Sequence, residues 1–343
     1  MNELAQLCIN IKKDFTPKIR DPTKPVRCWF EKDFLDNKIV DTYVIIFRTR
    51  GCSWALKSGC TMCGYFNDSM WGKISDKDFS KQFDNSILDY SGEKFVKIFT
   101  SGSFLDDSEV NPKIRKKILN NIVKKADKIS VESRPEYVTD EKLSEIKEIL
   151  RSKKFEVGIG LETANDNIRE NSINKGFAFS DYIKAAKTLK KYDFELKTYV
   201  LIKPPFLTEK KSIEDAVSTV CKIKNLTDII SFNPTNIQKN TLVDYLWKHR
   251  QYRPAWLWSV VEIIKESKKI VNGIRIKCDI VGGGTLRGAY NCKECNKDFV
   301  NSIADFSLSQ NTKVFDNLKC ECVERWRDQL EIEEVSFGSI MDI

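Results

Sequence analysis

Three cysteines, Cys52, Cys60 and Cys63, stand on one short stretch, with seven residues between the first two and two between the last two. They follow the apolar, β-branched run Tyr43-Val44-Ile45-Ile46-Phe47, which reads as a buried strand, and the loop that holds them contains glycine. Three thiolates can hold three irons of a four-iron cluster and leave the fourth iron open to a ligand. A cluster that only stores electrons takes four protein ligands, whereas one that acts on a bound molecule needs the open corner. The plainer readings are a zinc knuckle short of one ligand, or three unrelated buried thiols.

Near the other end stand Cys292-x-x-Cys295 and Cys320-x-Cys322. Two such pairs suit a closed tetrahedral four-thiolate site, most simply structural zinc. The second pair is tighter than the usual knuckle, so Cys278 is a candidate replacement ligand. A second iron–sulfur cluster and four free thiols are the alternatives. A metal here would pin an irregular segment with little core of its own. Cys8, Cys28 and Cys221 read as ordinary thiols. Eleven cysteines in a chain that starts Met1-Asn2-Glu3-Leu4-Ala5-Gln6, with no signal peptide, imply reduced thiols, metal ligands and a cytoplasmic setting. His249 is the one histidine, and no nucleophile motif accompanies it, which argues against a Ser–His or Cys–His hydrolase.

The chain has 343 residues, 31% of them charged and 41% hydrophobic, enough for one large α/β domain with a small appendage. No apolar run approaches a membrane span. A net charge of +8 favours an anionic partner such as RNA. Strand-like runs recur at 95–100, 128–132, 155–161, 196–202 and 228–232, with a seventh at 274–281. Helical patterns separate them: Asn111 caps one before Pro112, Thr139 caps the next, Ser180 opens another, and Ser212 with Asp215 reads as a capping box. Repeated β–α units imply parallel strands and an open, partial (β/α)6 barrel. Three segments follow: a basic N-terminal extension over 1–40, the barrel over 41–240, and a C-terminal cysteine-rich extension over 241–343. The first would wrap the barrel or remain a solvated arm. The acidic tail with Glu331, Glu333 and Glu334 reads as solvated.

In such barrels function collects at the C-terminal ends of strands, and the remaining candidates fall there. Thr100-Ser101-Gly102-Ser103-Phe104 ends the second strand, and Glu132-Ser133-Arg134-Pro135 the third. The fourth reads Val157-Gly158-Ile159-Gly160-Leu161-Glu162. Arg134 is either a fork for a carboxylate or half of a structural Glu–Arg pair. Lys197 and Lys203 flank the fifth strand as anion candidates or solvated lysines. In the run from Tyr245 to Trp258, aromatics alternate with cations; this suits unstacked RNA bases or anchors the following helix.

The cysteine trio resembles the radical S-adenosylmethionine (SAM) superfamily, and its long first gap resembles the branch that includes the elongator catalytic subunit. An aromatic residue usually precedes the last cysteine there; this chain has Met62, and Tyr65 is placed to serve beside the adenine. The resemblance implies a [4Fe-4S] cluster on Cys52, Cys60 and Cys63, with SAM chelated by its amino and carboxylate groups to the free iron. It implies that Ser101, Gly102 and Ser103 receive the SAM amino group, Arg134 its carboxylate, and Glu132 and Glu162 its hydroxyl or ammonium groups. Arg48-Thr49-Arg50-Gly51-Cys52, Met62-Cys63-Gly64-Tyr65, Thr100 to Asp106, Tyr252 to Ser259 and the Gly-rich loop before Cys292 are together similar to the archaeal radical SAM enzymes of archaeosine biosynthesis. That family implies a lyase acting on tRNA that bears a lysine adduct of 7-cyano-7-deazaguanine. Its implied partners are a lysine-transferring archaeosine synthase subunit and an electron donor. An unactivated aliphatic C–H bond offers no acid–base handle, so a radical suits the task. Two rivals stay open: another tRNA-modifying radical SAM enzyme, methylthiotransferase-like or acetyltransferase-linked, and a non-enzymatic zinc and RNA-binding module.

Overall fold

The computed structural model of the chain describes residues 3–336. Its eight strands form one sheet in strict sequence order: β1 (Arg27–Leu35), β2 (Lys38–Ile46), β3 (Phe95–Phe99), β4 (Lys128–Glu132), β5 (Lys154–Glu162), β6 (Glu195–Ile202), β7 (Ile229–Pro234) and β8 (Arg275–Cys278). The β1–β2 hairpin is antiparallel, and every later pair is parallel. The six expected parallel strands are present. The seventh run joins them as β8, and β1 adds a strand within the N-terminal 40 residues.

The helices are α1 (Glu3–Lys12), α2 (Ser53–Lys57), α3 (Asp76–Ser86), α4 (Pro112–Ile122), α5 (Asp140–Leu150), α6 (Asp166–Ile168), α7 (Phe179–Lys191), α8 (Glu209–Ile223), α9 (Leu242–Lys248), α10 (Leu257–Ile270), α11 (Asn296–Ser309) and α12 (Cys322–Ser336). Asn111 and Thr139 cap α4 and α5 as their side chains predict. The helix after β6 begins earlier than expected: Thr208 caps α8 by accepting from Lys211 N. Ser212 and Asp215 are drawn into tertiary bonds instead, with Lys203 N donating to Ser212 Oγ at 2.7 Å and Thr163 Oγ1 to Asp215 Oδ1 at 2.7 Å. No helix among the described residues is long and apolar enough to cross a membrane.

Two layers of opposite character result from strand alternation. The outward positions Val96, Ile98, Ile129, Val131, Phe155, Val157 and Ile159 are fully buried within the main hydrophobic core. The other face carries Lys97, Ser130, Glu156, Lys197 and Lys277, all buried as well. These line a lumen, because the sheet curls until its two ends meet. Lys277 of β8 pairs with Asp33 of β1 at 2.7 Å, and the Arg275 guanidinium lies 3.7 Å from the Phe34 ring centroid. Lys97 also pairs with Asp33, and Lys128 and Lys197 both pair with Glu156. Burial alone would raise the Asp33 pKa, but the ammoniums of Lys277 and Lys97 hold its carboxyl well below the usual carboxylate range. Lys197 is thus neither solvated nor a free anion site; it belongs to the barrel floor. Lys203 is likewise buried, paired with Glu209 at 2.9 Å.

At the end of α12, Glu331, Ile332 and Val335 stay exposed, as the sequence suggests, but Glu333 and Glu334 are half-buried and bonded. Glu333 accepts from Glu209 N at 2.5 Å, and Glu334 accepts from Thr208 Oγ1 at 2.5 Å. Two carboxylates therefore cap the positive N-terminal end of α8. The last residues of the tail lie outside the described residues.

Candidate active site and metal centre

The loop after β2 is shaped by two glycines and fastened by three other parts of the chain. Gly51 has φ +106°, a conformation that L side chains rarely adopt, and it delivers the chain into Cys52. Helix α2 starts there, with Leu56 N donating to Cys52 O at 3.0 Å. Gly59, φ +90°, then reverses the chain into Cys60. Thr61 donates through N to Ile173 O at 3.0 Å and through Oγ1 to Ser172 O at 2.9 Å. Asn174 Nδ2 donates to Ser58 Oγ and Gly59 O, each at 2.7 Å. Gly64 N donates to Gln238 Oε1, and Lys12 of α1 donates to Ala55 O at 2.6 Å. The N-terminal helix therefore straps the cysteine loop.

All three thiols are free. Burial raises the Cys52 pKa to about 11 and that of Cys63 to about 12, and both groups feel the charge of Cys60. Burial raises Cys60 too, opposed by Lys175, Arg134 and Lys12. Thiols in such a setting stay protonated until a metal takes them. Three cations around the central sulfur fit a bound anionic cluster. The donor set therefore suits three-point attachment of an iron–sulfur cluster.

Gly102 lies directly against the first cysteine. A Cβ on it would stand 2.6 Å from Cys52 Cβ and 2.7 Å from Cys52 Cα. Glu109 braces this contact: it accepts from Ser103 N at 2.6 Å and from Thr49 Oγ1 at 2.6 Å, and burial raises its pKa to about 7. Gly102→Ala is expected to cost about 10²-fold in SAM cleavage, because either the cysteine or the backbone must shift by an ångström-scale step. Measuring 5′-deoxyadenosine from reconstituted protein checks this; wild-type turnover would show that the close approach does not matter.

Arg134 is 7% exposed. Its Nε donates to Glu136 at 2.5 Å and its Nη1 to Lys175 O at 2.9 Å, while the rings of Trp54 and Phe177 flank the guanidinium at 5.4 and 5.3 Å. Its acidic partner is thus Glu136. Glu162 has φ +69°, a costly backbone state for a side chain, and accepts from Lys175 Nζ at 2.6 Å. A Cβ on Gly160 would come within 2.6 Å of Glu162 Oε1 and 2.7 Å of Lys175 Nζ, so the glycine makes room for the pair. Glu132 is half-buried, its pKa raised by burial, with Tyr199 as its hydrogen-bond partner. Tyr65, 58% exposed, stands at the rim within the field of both Glu132 and Glu162. Ser101 is half-buried at the bend after β3. Ser101, Gly102, Ser103, Glu132, Arg134, Glu162 and Tyr65 therefore gather at one mouth, whereas Lys197 lies on the floor and Lys203 is held by Glu209. Sequence reasoning missed Lys12, Glu109, Lys175 and Tyr199. The left-handed Glu162 and the glycines at 158 and 160 are the local signals that pointed nearest to the last two.

The C-terminal quartet converges. The sulfurs of Cys292, Cys295, Cys320 and Cys322 all lie within 4.8 Å of one another, with separations of 3.6 Å (292–295), 3.4 Å (292–320) and 3.6 Å (295–322). Four ligands at about 2.3 Å from a tetrahedral zinc are roughly 3.8 Å apart, so the set matches a single ion. Cys278 lies in β8, outside this group. Asn291 Nδ2 donates to Cys295 Sγ at 3.6 Å, and Trp258 Nε1 to Cys322 Sγ at 3.3 Å. Such N–H donors support bound thiolates. Trp258 also meets Phe299 edge-on at 4.4 Å. Trp256 is 6% exposed, its indole donating to Gln329 Oε1 at 2.7 Å with the Arg253 guanidinium 3.9 Å from the ring centroid. Residues 252–258 are therefore anchors, whereas Tyr245 remains 49% exposed.

This barrel, with three free cysteines after its first parallel strand, is the architecture that the model of the radical SAM superfamily matches over residues 46–217. The chain belongs to that superfamily, which implies a [4Fe-4S] cluster and SAM. Within it, the chain is a member of the archaeosine synthase subunit beta family: it is 40% identical over 342 residues to archaeosine synthase subunit beta of Methanosarcina acetivorans, covering 98% of each chain. It is 39% identical over 305 residues to the protein of the same name from Thermococcus kodakarensis, covering 87% of this chain and 94% of that one. Among solved structures, the archaeal Elp3 of Methanocaldococcus infernus with an N-terminal deletion aligns at a TM-score of 0.48 and 17% identity, covering 70% of this chain and 59% of that chain.

Proposed function

We propose that the chain is the radical SAM lyase of archaeosine formation in tRNA. Its substrate is tRNA in which 7-cyano-7-deazaguanine has received a lysine. Hydrogen is abstracted from the lysine side chain, and the carbon–nitrogen bond breaks to leave the formamidine of archaeosine. The observation that carries this reading is the end-to-end likeness to archaeosine synthase subunit beta, which spans both the cysteine loop and the C-terminal quartet. The word "subunit" in that name supports a partner that attaches the lysine.

Cys52, Cys60 and Cys63 would hold the cluster, which would supply one electron for the cleavage of SAM. Gly102 and Ser103 would present backbone to the SAM amino end, and Arg134, whose charge acts on Cys60, would meet its carboxylate. Glu162 and Tyr65 would address the nucleoside part from the rim. The paired cations and carboxylates of the floor close the lumen from below, which limits quenching by water. Cys292, Cys295, Cys320 and Cys322 hold structural zinc, joining α11 and α12 to the barrel.

The test incubates reduced, oxygen-free protein and SAM with lysine-modified tRNA. Archaeosine and 5′-deoxyadenosine are expected together. No 5′-deoxyadenosine from protein with an intact cluster would refute the lyase. A non-enzymatic zinc and RNA-binding module would instead contain zinc without iron or sulfide.

A further inference from the structure

Between residues 229 and 261 the only acidic side chain is Asp244. It is buried in α9 and accepts from Lys248 Nζ at 2.7 Å and from Arg287 Nη2 at 2.6 Å. No other acid of the stretch offsets its cations. Lys239, Lys248, His249 and Arg250 are exposed, and the side chains of Lys239 and Arg250 form no hydrogen bond or ion pair among the described residues. Arg250 closes the helix with φ +60°, its N donating to Trp247 O at 3.0 Å while Gln251 N donates to Leu246 O at 2.8 Å. Glycine most often fills that left-handed place after a helix; here it carries a guanidinium.

Tyr245 and His249, one turn apart on the exposed side of α9, bring their ring centroids to 4.1 Å with 32° between the planes. His249 Nδ1 meets Tyr245 O at 2.8 Å, which fixes the imidazole against the phenol ring. A ring pair held outside the core offers its π-face to a planar ligand. The helix beneath it is firmly mounted. Val243 is fully buried in a small apolar cluster against which Met62 packs, and Val243 N donates to Thr61 O at 3.1 Å. Gln238 Oε1 accepts from Gly64 N, Asn67 Nδ2 donates to Lys239 O at 2.9 Å, and Asn240 Nδ2 to Asn67 Oδ1 at 2.7 Å. The rings and cations therefore share one rigid mount with the segment that carries Cys60 and Cys63.

We propose that α9 and the turn after it form the RNA-contacting surface of the chain: the Tyr245–His249 pair stacks on an unpaired base, and Lys239, Lys248 and Arg250 meet the flanking phosphates. This rests on the function proposed above for its ligand, tRNA, and adds where that tRNA is held. A base that must enter the lumen has to leave its stack, which leaves its neighbours unstacked beside the mouth. The ring pair takes one of them. Cations without local acids, set around exposed rings, match phosphates and bases better than they match a protein face, which would bury the rings in an apolar contact. Because α9 is bonded on both sides of Cys63, at Thr61 and at Gly64, RNA seated on it lies at a fixed offset from the cysteine loop.

The experiment titrates a fluorescent, unmodified tRNA transcript with reconstituted wild type, Tyr245→Ala, Tyr245→Phe, Lys239→Ala and Arg250→Ala at several salt concentrations. Lys124→Ala, an exposed position just past α4, is the remote control. Tyr245→Ala is expected to raise Kd about tenfold with the salt slope unchanged, and Tyr245→Phe to stay near wild type. Lys239→Ala and Arg250→Ala are each expected to weaken binding and to lower the slope of log Kd against log salt by about one, whereas Lys124→Ala changes neither. Iron per chain and Kd for SAM should match wild type in every variant, so that weaker tRNA binding reports the surface and not the fold. Should Tyr245→Ala lose its iron, the slopes of Lys239→Ala and Arg250→Ala decide. Wild-type tRNA affinity in all the variants overturns the proposal, as does an equal loss in Lys124→Ala, which would mean diffuse charge attraction. Weaker binding of the lysine-attaching partner with tRNA binding unchanged would give this face to a protein and overturn it too. A wild type that binds the transcript through this surface but yields no archaeosine from lysine-bearing tRNA overturns the lyase alone, and one that binds no tRNA overturns both.

Discussion

Cys60→Ala is expected to abolish SAM cleavage, by at least about 10³-fold, and to lower bound iron in anaerobically reconstituted protein. Three ligands are the minimum that leaves one iron open, so losing one destroys the attachment rather than weakening it. Cys60 is the central member of the trio, felt by both Cys52 and Cys63 and faced by Lys175, Arg134 and Lys12. The readouts are iron per chain, the visible charge-transfer band and 5′-deoxyadenosine. Retained SAM cleavage would refute the ligand role. The apolar core lies on the opposite face of the sheet from this mouth, so the thermal transition of the metal-free variant should stay close to wild type.

The second large effect is expected at the C-terminal cysteine quartet, the proposed zinc site. Cys295→Ser, or removal of the ion by a strong chelator, should release one zinc per chain and unfold the C-terminal segment by several kcal/mol, since the binding free energy of a structural zinc is also folding free energy. The segment has other anchors: Phe299, Ile303, Phe306 and Phe315 are buried in the main core. The loss should therefore be confined to the surroundings of the quartet, including α12, which begins at Cys322. Because Glu333 and Glu334 of α12 cap α8, and Gln329 binds the Trp256 indole, damage should spread to the helix behind β6. Metal analysis with hydrogen exchange of α8 and α12 checks this. Full protection after zinc release would mean that the helices hold without the ion, and iron in place of zinc would identify a second cluster.

Much of the architecture was legible because parallel β–α units leave periodic marks. Apolar runs at the outward strand positions, Asn111 before Pro112, and Thr139 before two acids are local signals, and local bonds answer them. The capping box at Ser212 failed for a tertiary reason. Both side chains had partners from other elements, and Thr208 offered an equally good cap four residues earlier. The acidic tail misled in a similar way: carboxylates that look solvated in a sequence are stabilised once a helix N-terminus faces them.

What the sequence determined by itself is the chemistry of the two cysteine sets, through residue type and spacing, and the order of the strands that present the first of them. Only the tertiary structure decided which charges are spoken for. Curling the sheet until Asp33 meets Lys277 joins residues 244 positions apart, and the pairing of β5 with β6 sets Lys197 against Glu156 and turns it from a candidate ligand into part of the floor. Ion pairing depends on distances of a few ångströms through space, and no local pattern along a chain encodes distances between strands that meet only when the sheet closes.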